Sequence, residues 1–131
     1  MRRAIFVNLP ISDLPAAKAF WSHLGFGFVE KYTNDVAACV AISDTIFVML
    51  LTRELFAGFA PRPVSDAHAA TEVMLCLSCE SREQVDDLVR LAVEAGGRTY
   101  KEPQVHGTMY GHGFEDPDGH VWEVYHMAAD D

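Results

Sequence analysis

The order of predicted secondary-structure elements occurs twice along this chain, at an offset of about 70 residues, and this duplication constrains the fold more than any other feature. In the first half, residues 3–9 alternate like a strand. Residues 14–24 then repeat apolar side chains at helical spacing, after Ser12 or Asp13 as the capping residue. Three short runs rich in β-forming residues follow, at residues 26–31, 37–42 and 45–51. The first half therefore predicts the order βαβββ.

The second half predicts the same order. Residues 72–78 alternate like a strand, and Ser81 with Gln84 three positions later forms a capping box that opens a helix. The helix is expected to end at Gly96-Gly97. Three further strands are predicted at residues 98–101, 108–115 and 120–127, and an Asp-Pro-Asp-Gly turn joins the last two.

Neither half is large enough to bury a stable core alone, so we expect the halves to pack as a single domain of residues 1–131. Module one is predicted at residues 3–52 and module two at residues 71–128. Residues 53–70 form a connector with one short helical turn. The predicted fold class is α+β, with two tandem βαβββ modules that form a curved mixed-sheet cup. Such a cup suits a small ligand.

The charge balance excludes two classes of partner. Nineteen acidic residues against ten basic ones give a formal net charge of -9, which repels nucleic-acid phosphates and anionic lipid. Since neither a signal peptide nor a long apolar run is recognisable, we expect a cytoplasmic protein. We interpret Cys76 and Cys79, spaced as C-x-x-C, as two semi-buried thiols, because no second pair completes a zinc site.

Two motifs give the chain a family resemblance. The first is residues 9–14 (LPISDL), which lead into residues 19–21 (AFW) and 24–26 (LGF). The second is residues 114–120 (FEDPDGH), followed by residues 121–124 (VWEV). With the duplication, these motifs resemble the vicinal oxygen chelate superfamily, which includes glyoxalase I, extradiol dioxygenases, fosfomycin-resistance enzymes and bleomycin-resistance proteins. The resemblance implies a glyoxalase-like fold and a homodimer.

The resemblance also implies where a metal would bind. Metal-using members draw His, Glu, His and Glu, with substitutions, from the first and fourth strands of each module. The corresponding positions here are Phe6, Leu50 or its neighbour Met49, Met74 and Glu123. Only Glu123 has a side chain that ligates a metal, and one carboxylate cannot hold a divalent cation tightly. The usual metal site is therefore expected to be dismantled, and no cofactor is predicted.

A displaced metal site is the alternative. Glu72 shares a predicted strand face with Met74, and His106 and His112 flank the Gly-rich residues 107–111. These side chains, together with Glu123, are the candidate ligands for a divalent metal. Glu123 is also the candidate catalytic residue, as a general acid or base, whereas pairing with Arg53 or a tyrosine would make it structural.

Two functions follow from these positions. The first is binding of a small apolar or aromatic molecule in the cup, as bleomycin-resistance proteins do by sequestration. The alternative is a metal-dependent lyase, isomerase or dioxygenase of the glyoxalase I or extradiol type that uses Glu123. The residues predicted to contact the ligand or substrate are Phe6, Asn8, Leu50, Met74, Tyr110, His112 and Tyr125.

Overall fold

The computed structural model describes residues 1–128, so residues 129–131 of the predicted domain lie outside the described part of the chain. The chain divides into two compact units, of which the first is Met1–Ser65 and the second begins at Asp66. The first unit contains β1 (Ile5–Ile11), α1 (Leu14–His23), β2 (Gly27–Phe28), a 3-10 turn (Glu30–Tyr32), β3 (Ala37–Ala41), β4 (Ile46–Thr52) and α2 (Arg53–Phe59).

The four strands of the first unit form one mixed sheet in the order β1-β4-β3-β2. β1 runs parallel to β4, and the remaining pairs are antiparallel. Because side chains alternate along a strand, the register divides them between two faces. Leu9, Val48 and Leu50 lie on the buried face, against which α1 packs. Asn8 and Met49, which are paired, lie on the opposite face, called here the open face.

Helix α1 confirms the capping chemistry read from the sequence. Asp13 is the N-cap, and its Oδ1 accepts a hydrogen bond from the amide of Ala16 at 3.1 Å. Gly25 follows the helix with a φ of 97°, a left-handed conformation that favours glycine. The predicted strand at residues 26–31 is wrong in length, since only Gly27–Phe28 pair and the chain then enters the 3-10 turn.

The second unit repeats the topology of the first. It contains β5 (Met74–Ser78), α3 (Arg82–Glu94), β6 (Gln104–His106), β7 (Met109–Glu115) and β8 (Val121–Met127). The sheet order is β5-β8-β7-β6, with β5 parallel to β8 and the other pairs antiparallel. The predicted fold class, α+β with two βαβββ modules of mixed four-stranded sheet, is confirmed.

Helix α3 begins as the capping box predicts. The hydroxyl of Ser81 accepts a hydrogen bond from the amide of Gln84 at 3.0 Å. The Gln84 side chain reaches back and accepts one from the amide of Glu80 at 2.7 Å. Val85 and Val89 are buried on its inner face, so α3 anchors the second sheet as α1 anchors the first.

The predicted strand at residues 98–101 is wrong. Only Arg98 bridges to β7, through paired backbone hydrogen bonds with Glu115, and the edge strand is β6 at Gln104–His106. Residues 99–101 instead pass beside β7 as an irregular segment. Strand alternation therefore does not determine which way the side chains of residues 99–101 point.

Asp116 organises the turn between β7 and β8. Its Oδ1 accepts hydrogen bonds from the amides of Asp118 and His120, both at 3.0 Å. Its Oδ2 accepts one from the indole nitrogen of Trp122 at 3.1 Å. Asp116 is buried, and this burial raises the pKa of its carboxyl above the ordinary value. Trp122 is buried in the core of the module.

No helix within residues 1–128 has both the length and the apolar character that crossing a bilayer requires.

Candidate functional site

The open face of the first sheet carries a cavity of about 550 Å³. Strands supply part of its wall, and α2 and the 3-10 turn supply the rest. The lining residues are Phe6, Asn8, Lys31, Tyr32, Asn34, Ala37, Met49, Leu51, Leu55 and Phe59. Its volume lies within the range typical of small-molecule sites.

Aromatic rings define one side of this cavity. The ring of Phe6 stacks on Phe47 with centroids 4.6 Å apart, and it meets Tyr32 edge-on at 6.2 Å. Stacked and edge-on pairs fix ring orientation beyond what apolar burial alone provides. Phe6 is nevertheless 45% exposed, so one surface of the ring is available to a ligand.

Helix α2 closes another side of the cavity. Thr52 caps it by accepting a hydrogen bond from the amide of Leu55 at 3.3 Å, so the helix starts directly at the end of β4. The helix contacts β1 and β4, and it brings Leu55 and Phe59 over the open face. A second cavity of about 360 Å³ shares Asn8, Leu51 and Phe59 with the first.

Two amide side chains and one ammonium line the cavity, and they differ in how they are bonded. The Oδ1 of Asn34 accepts hydrogen bonds from the amides of Val36 at 2.9 Å and Ala37 at 3.1 Å. Within residues 1–128, the Asn8 side chain makes no hydrogen bond and Lys31 makes no ion pair. The Lys31 ammonium lies 5.1 Å from the centroid of the Tyr32 ring, a cation–π contact.

Leu50 and its neighbour Met49 lie on opposite faces of the first sheet. Leu50 is 0% exposed and lies on the face packed against α1, so it does not line the cavity. Met49 pairs with Asn8 and lines the cavity. Leu50 is therefore corrected to Met49 as the cavity residue on β4, because one residue of register moves a side chain to the other face.

A separate cluster lies on the open face of the second sheet, around Glu123. The Tyr100 hydroxyl donates a hydrogen bond to Oε2 of Glu123, and the Lys101 ammonium lies 3.1 Å from the same oxygen. Lys101 also donates to Oε1 at 3.3 Å. Burial and the neighbouring Glu123 carboxylate raise the pKa of Tyr100. The tyrosine alternative for the Glu123 partner therefore agrees with the structure, and the Arg53 guanidinium donates to the carbonyl oxygen of Ser65 at 3.4 Å.

A glycine makes room for this cluster. Gly113 pairs directly with Glu123 across β7 and β8. A Cβ at position 113 would lie 2.8 Å from Oε2 of Glu123, closer than a Cβ approaches non-bonded heavy atoms in proteins. The Tyr100 ring crosses the strand at this point, so any larger residue would displace it from the carboxylate.

The donors of the second unit do not fit a divalent cation. In the described residues, no three His, Cys, Asp or Glu side chains come together as a metal site. His112 occupies the strand face opposite to Glu123, and its Nε2 lies 2.7 Å from the carbonyl oxygen of Lys101. His106 is exposed on the edge strand β6, and Glu72 precedes β5 and is exposed. These three predicted ligands are therefore not assembled with Glu123.

The remaining predicted contact residues divide between the two faces. Tyr110 is corrected, because its hydroxyl donates to Asp86 of α3 at 2.6 Å and the Arg82 guanidinium lies 5.0 Å from its ring centroid. It therefore lies on the helix side. Met74 and Tyr125 share strand parity with Glu123, and Met74 is 62% exposed.

Sequence reasoning missed several residues of the two sites. Lys31, Tyr32, Leu55 and Phe59 lie on segments outside the main strands, where strand alternation carries no information. The spacing of Leu55 and Phe59, four apart in a short helix, was the one available signal. The predicted strand at residues 98–101 places Tyr100 and Lys101 on opposite faces, so it does not predict that both contact Glu123.

The comparisons with known proteins agree with this architecture. The family model described as Glyoxalase/Bleomycin resistance protein/Dioxygenase superfamily matches residues 4–124. Hypothetical protein SA1046 from S. aureus is 29% identical, with a TM-score of 0.80 over 95% of this chain and 94% of that one. No curated protein matches the sequence.

Two further solved structures share the fold at lower identity. A glyoxalase/bleomycin resistance protein/dioxygenase family enzyme from Burkholderia phytofirmans is 20% identical, with a TM-score of 0.79 over 97% of this chain and 100% of that one. The bleomycin resistance determinant encoded on transposon Tn5 is 19% identical, with a TM-score of 0.66 over 96% of this chain and 98% of that one.

Proposed function

The chain belongs to the glyoxalase/bleomycin resistance protein/dioxygenase superfamily, and from that premise we propose that it binds a small aromatic molecule in the cavity of module one. The function is sequestration or carriage of the bound molecule, without metal-assisted turnover. The ligand lies against Phe6, Met49 and Phe59 on the open face of the first sheet.

One observation carries this proposal: apolar side chains form cavity wall at Phe6 and Met49, which the family resemblance implies as metal-ligand positions of the first module, with Leu50 as the alternative to Met49. Phe6 and Met49 occupy adjoining strands and face the same cavity. Aromatic and thioether side chains suit apolar ligand surface, whereas a chelated oxygen substrate needs a cation and oxygen or imidazole ligands.

The expected affinity follows from the area that the cavity removes from water. A two-ring aromatic molecule that buries about 200 Å² of apolar surface gains about 5 kcal/mol. A gain of this size corresponds to a Kd of about 0.2 mM. Loss of translational and rotational freedom offsets part of it, so a simple probe is expected to bind in the millimolar range.

The metal-dependent alternative depends on Glu123. Its carboxylate already accepts a hydrogen bond from Tyr100 and forms an ion pair with Lys101, so a cation would have to displace both partners. A general acid or base role for Glu123 has the same competitor. This arrangement favours the binding function over the enzymatic one.

The working assembly in this proposal is a homodimer, which the family resemblance implies. Ile5, Val73 and Val105 are each about half exposed and are available to such a contact. Light scattering of the eluting protein tests this. A mass near 14.5 kDa, the mass of one chain, would reject the dimer.

Titration calorimetry with naphthylmethanol, a neutral two-ring probe, tests the binding function. Phe59→Ala removes an exposed cavity ring, and we expect it to weaken binding about fivefold or more by loss of buried apolar area. Val105→Ala, which removes an exposed apolar side chain from module two, is the matched control. Wild-type protein that is folded and binds no probe would reject the proposal.

A further inference from the structure

The residues that line the module-one cavity include a positively charged side chain and no negatively charged one. Of the residues that line it, Lys31 is the one with a formal charge, and no lining residue is acidic. The whole chain carries a formal net charge of -9. The cavity lining therefore offers a ligand one positive side chain and no negative one, although the chain as a whole is acidic.

Lys31 is available to a ligand. Its ammonium lies over the Tyr32 ring, which holds it at the cavity without neutralising it. Within the described chain no carboxylate pairs with it. An anion that enters the cavity would thus gain a charge-assisted contact, and no existing ion pair would have to be broken.

Asn8 supplies the second polar contact. It lies on β1 between Phe6 and Pro10 on the open face, where its neighbours on β4 and β3 are Met49 and Cys39. Its amide has no side-chain or backbone partner among residues 1–128. Asn8 is exposed on this face, so water can solvate the amide in the free protein. A ligand that covers it without accepting or donating a hydrogen bond would leave it unsatisfied, which favours a ligand with a polar group there.

We propose that the cavity recognises aromatic carboxylates, with the ring against Phe6 and the carboxylate held by Lys31 and Asn8. This inference rests on the proposed binding function and narrows it to a ligand class. The Asn8 amide nitrogen donates to one carboxylate oxygen, and the Lys31 ammonium donates to the carboxylate from the cavity side of Tyr32. A neutral aromatic molecule fills the same apolar space but leaves both groups unused.

Three naphthalene probes of nearly equal size test the ligand class by titration calorimetry near neutral pH. They are naphthoate, which is anionic, naphthylmethanol, which is neutral, and naphthylmethylammonium, which is cationic. We expect naphthoate to bind about tenfold more tightly than naphthylmethanol, as a charge-assisted hydrogen bond provides. The cationic probe should bind most weakly, and added salt should weaken naphthoate alone.

Two variants identify the groups that read the charge. Lys31→Gln should remove the preference for naphthoate over naphthylmethanol and leave naphthylmethanol within about twofold. Lys18→Gln is the matched control, because Lys18 belongs to the same module and its ammonium lies 5.9 Å from the Phe28 ring centroid, outside this cavity. Asn8→Leu keeps the volume and should weaken naphthoate about threefold or more.

The outcomes separate this inference from the proposed function. Equal binding of naphthoate and naphthylmethanol, or an effect of Lys31→Gln no larger than that of Lys18→Gln, would overturn the ligand class and leave the binding function standing. Failure of folded wild-type protein to bind any probe would overturn both. Unchanged naphthoate affinity in Asn8→Leu would remove Asn8 from the recognition.

Discussion

The hydroxyl of Tyr100 donates a hydrogen bond to Oε2 of Glu123, although the two residues are 23 positions apart and belong to different elements. Glu123 lies on β8, and Tyr100 lies on the irregular segment that passes beside β7. The contact fixes that segment across Gly113 and leaves Glu123 committed to protein partners. The hydrogen bond that holds this segment therefore also occupies the carboxylate that a metal ion would need.

Removing this hydrogen bond changes both stability and its dependence on pH. Tyr100→Phe should lower the free energy of unfolding by about 1 kcal/mol at neutral pH, at the low end for a charged acceptor because the ring is partly exposed. Burial and Glu123 raise the Tyr100 pKa above the ordinary value of 10.0. The folded state therefore holds the phenolic proton more tightly than the unfolded state does.

The wild-type contribution is present below pH 10 and is lost as the pH rises through the folded pKa, whereas Tyr100→Phe lacks this loss. Urea unfolding at neutral and alkaline pH measures both effects. Tyr32→Phe is the control, since its hydroxyl makes no hydrogen bond to the described residues. A steeper alkaline loss of stability in Tyr100→Phe than in wild type would contradict this account.

The metal content of the purified protein distinguishes small-molecule binding from the metal-dependent enzymatic alternative. We expect tag-free protein challenged with nickel, zinc, iron(II) or manganese to retain well below one equivalent per chain, because Tyr100 and Lys101 occupy the Glu123 carboxylate. Mass spectrometry of the metals measures it. One equivalent that is lost in Glu123→Ala and kept in Glu115→Ala would establish a metal site and favour the enzymatic alternative.

The buried carboxylate of Asp116 gives module two a second pH-dependent element. Asp116→Asn replaces one acceptor oxygen by an NH₂ group that faces N–H donors of the turn or of Trp122. We expect a loss of about 2 kcal/mol in the free energy of unfolding at neutral pH. Asp35→Asn, at an exposed position, is the control for loss of charge.

The sign of the pH effect also follows from burial. The folded pKa of Asp116 is raised above 3.8, so wild-type stability from this group is fully present below that value and falls as the pH rises through the folded pKa. Asp116→Asn should abolish this part of the acid profile. Urea titrations between about pH 3 and neutrality measure it. An unchanged profile in the variant would contradict the assignment.

Local chemistry made much of the fold predictable from the sequence. Asp13 and Ser81 cap helices through side-chain oxygens that meet amides three residues on, and such contacts depend only on neighbouring residues. The edge strand was misplaced because Thr99 and Tyr100 are better strand formers than Gln104 and His106. Pairing with β7 determines which segment forms the edge strand, and such a contact between distant residues is not predicted by local propensity.

The candidate sites were less predictable, for a related reason. Tyr110 reads equally well as a cavity aromatic or as a helix-facing one until its hydroxyl is seen to reach Asp86. Lys31 lies in a 3-10 turn that the sequence predicts as strand, so its side chain could not be assigned to a face. Strand parity specifies faces only where the strand itself is correctly bounded.

Met49 lines the cavity and its neighbour Leu50 packs in the core, so substitutions at these two positions distinguish ligand contact from core packing. Leu50→Ala should lower the free energy of unfolding by about 3 kcal/mol, since it opens a void in the core against α1. Met49→Ala removes a partly exposed side chain and should cost less stability, yet it should weaken naphthylmethanol binding about threefold or more through lost cavity surface. Calorimetry and urea unfolding of both variants measure the two effects separately. If Leu50→Ala instead weakened binding while Met49→Ala did not, the ligand would lie on the face packed against α1, and the cavity on the open face would not be its site.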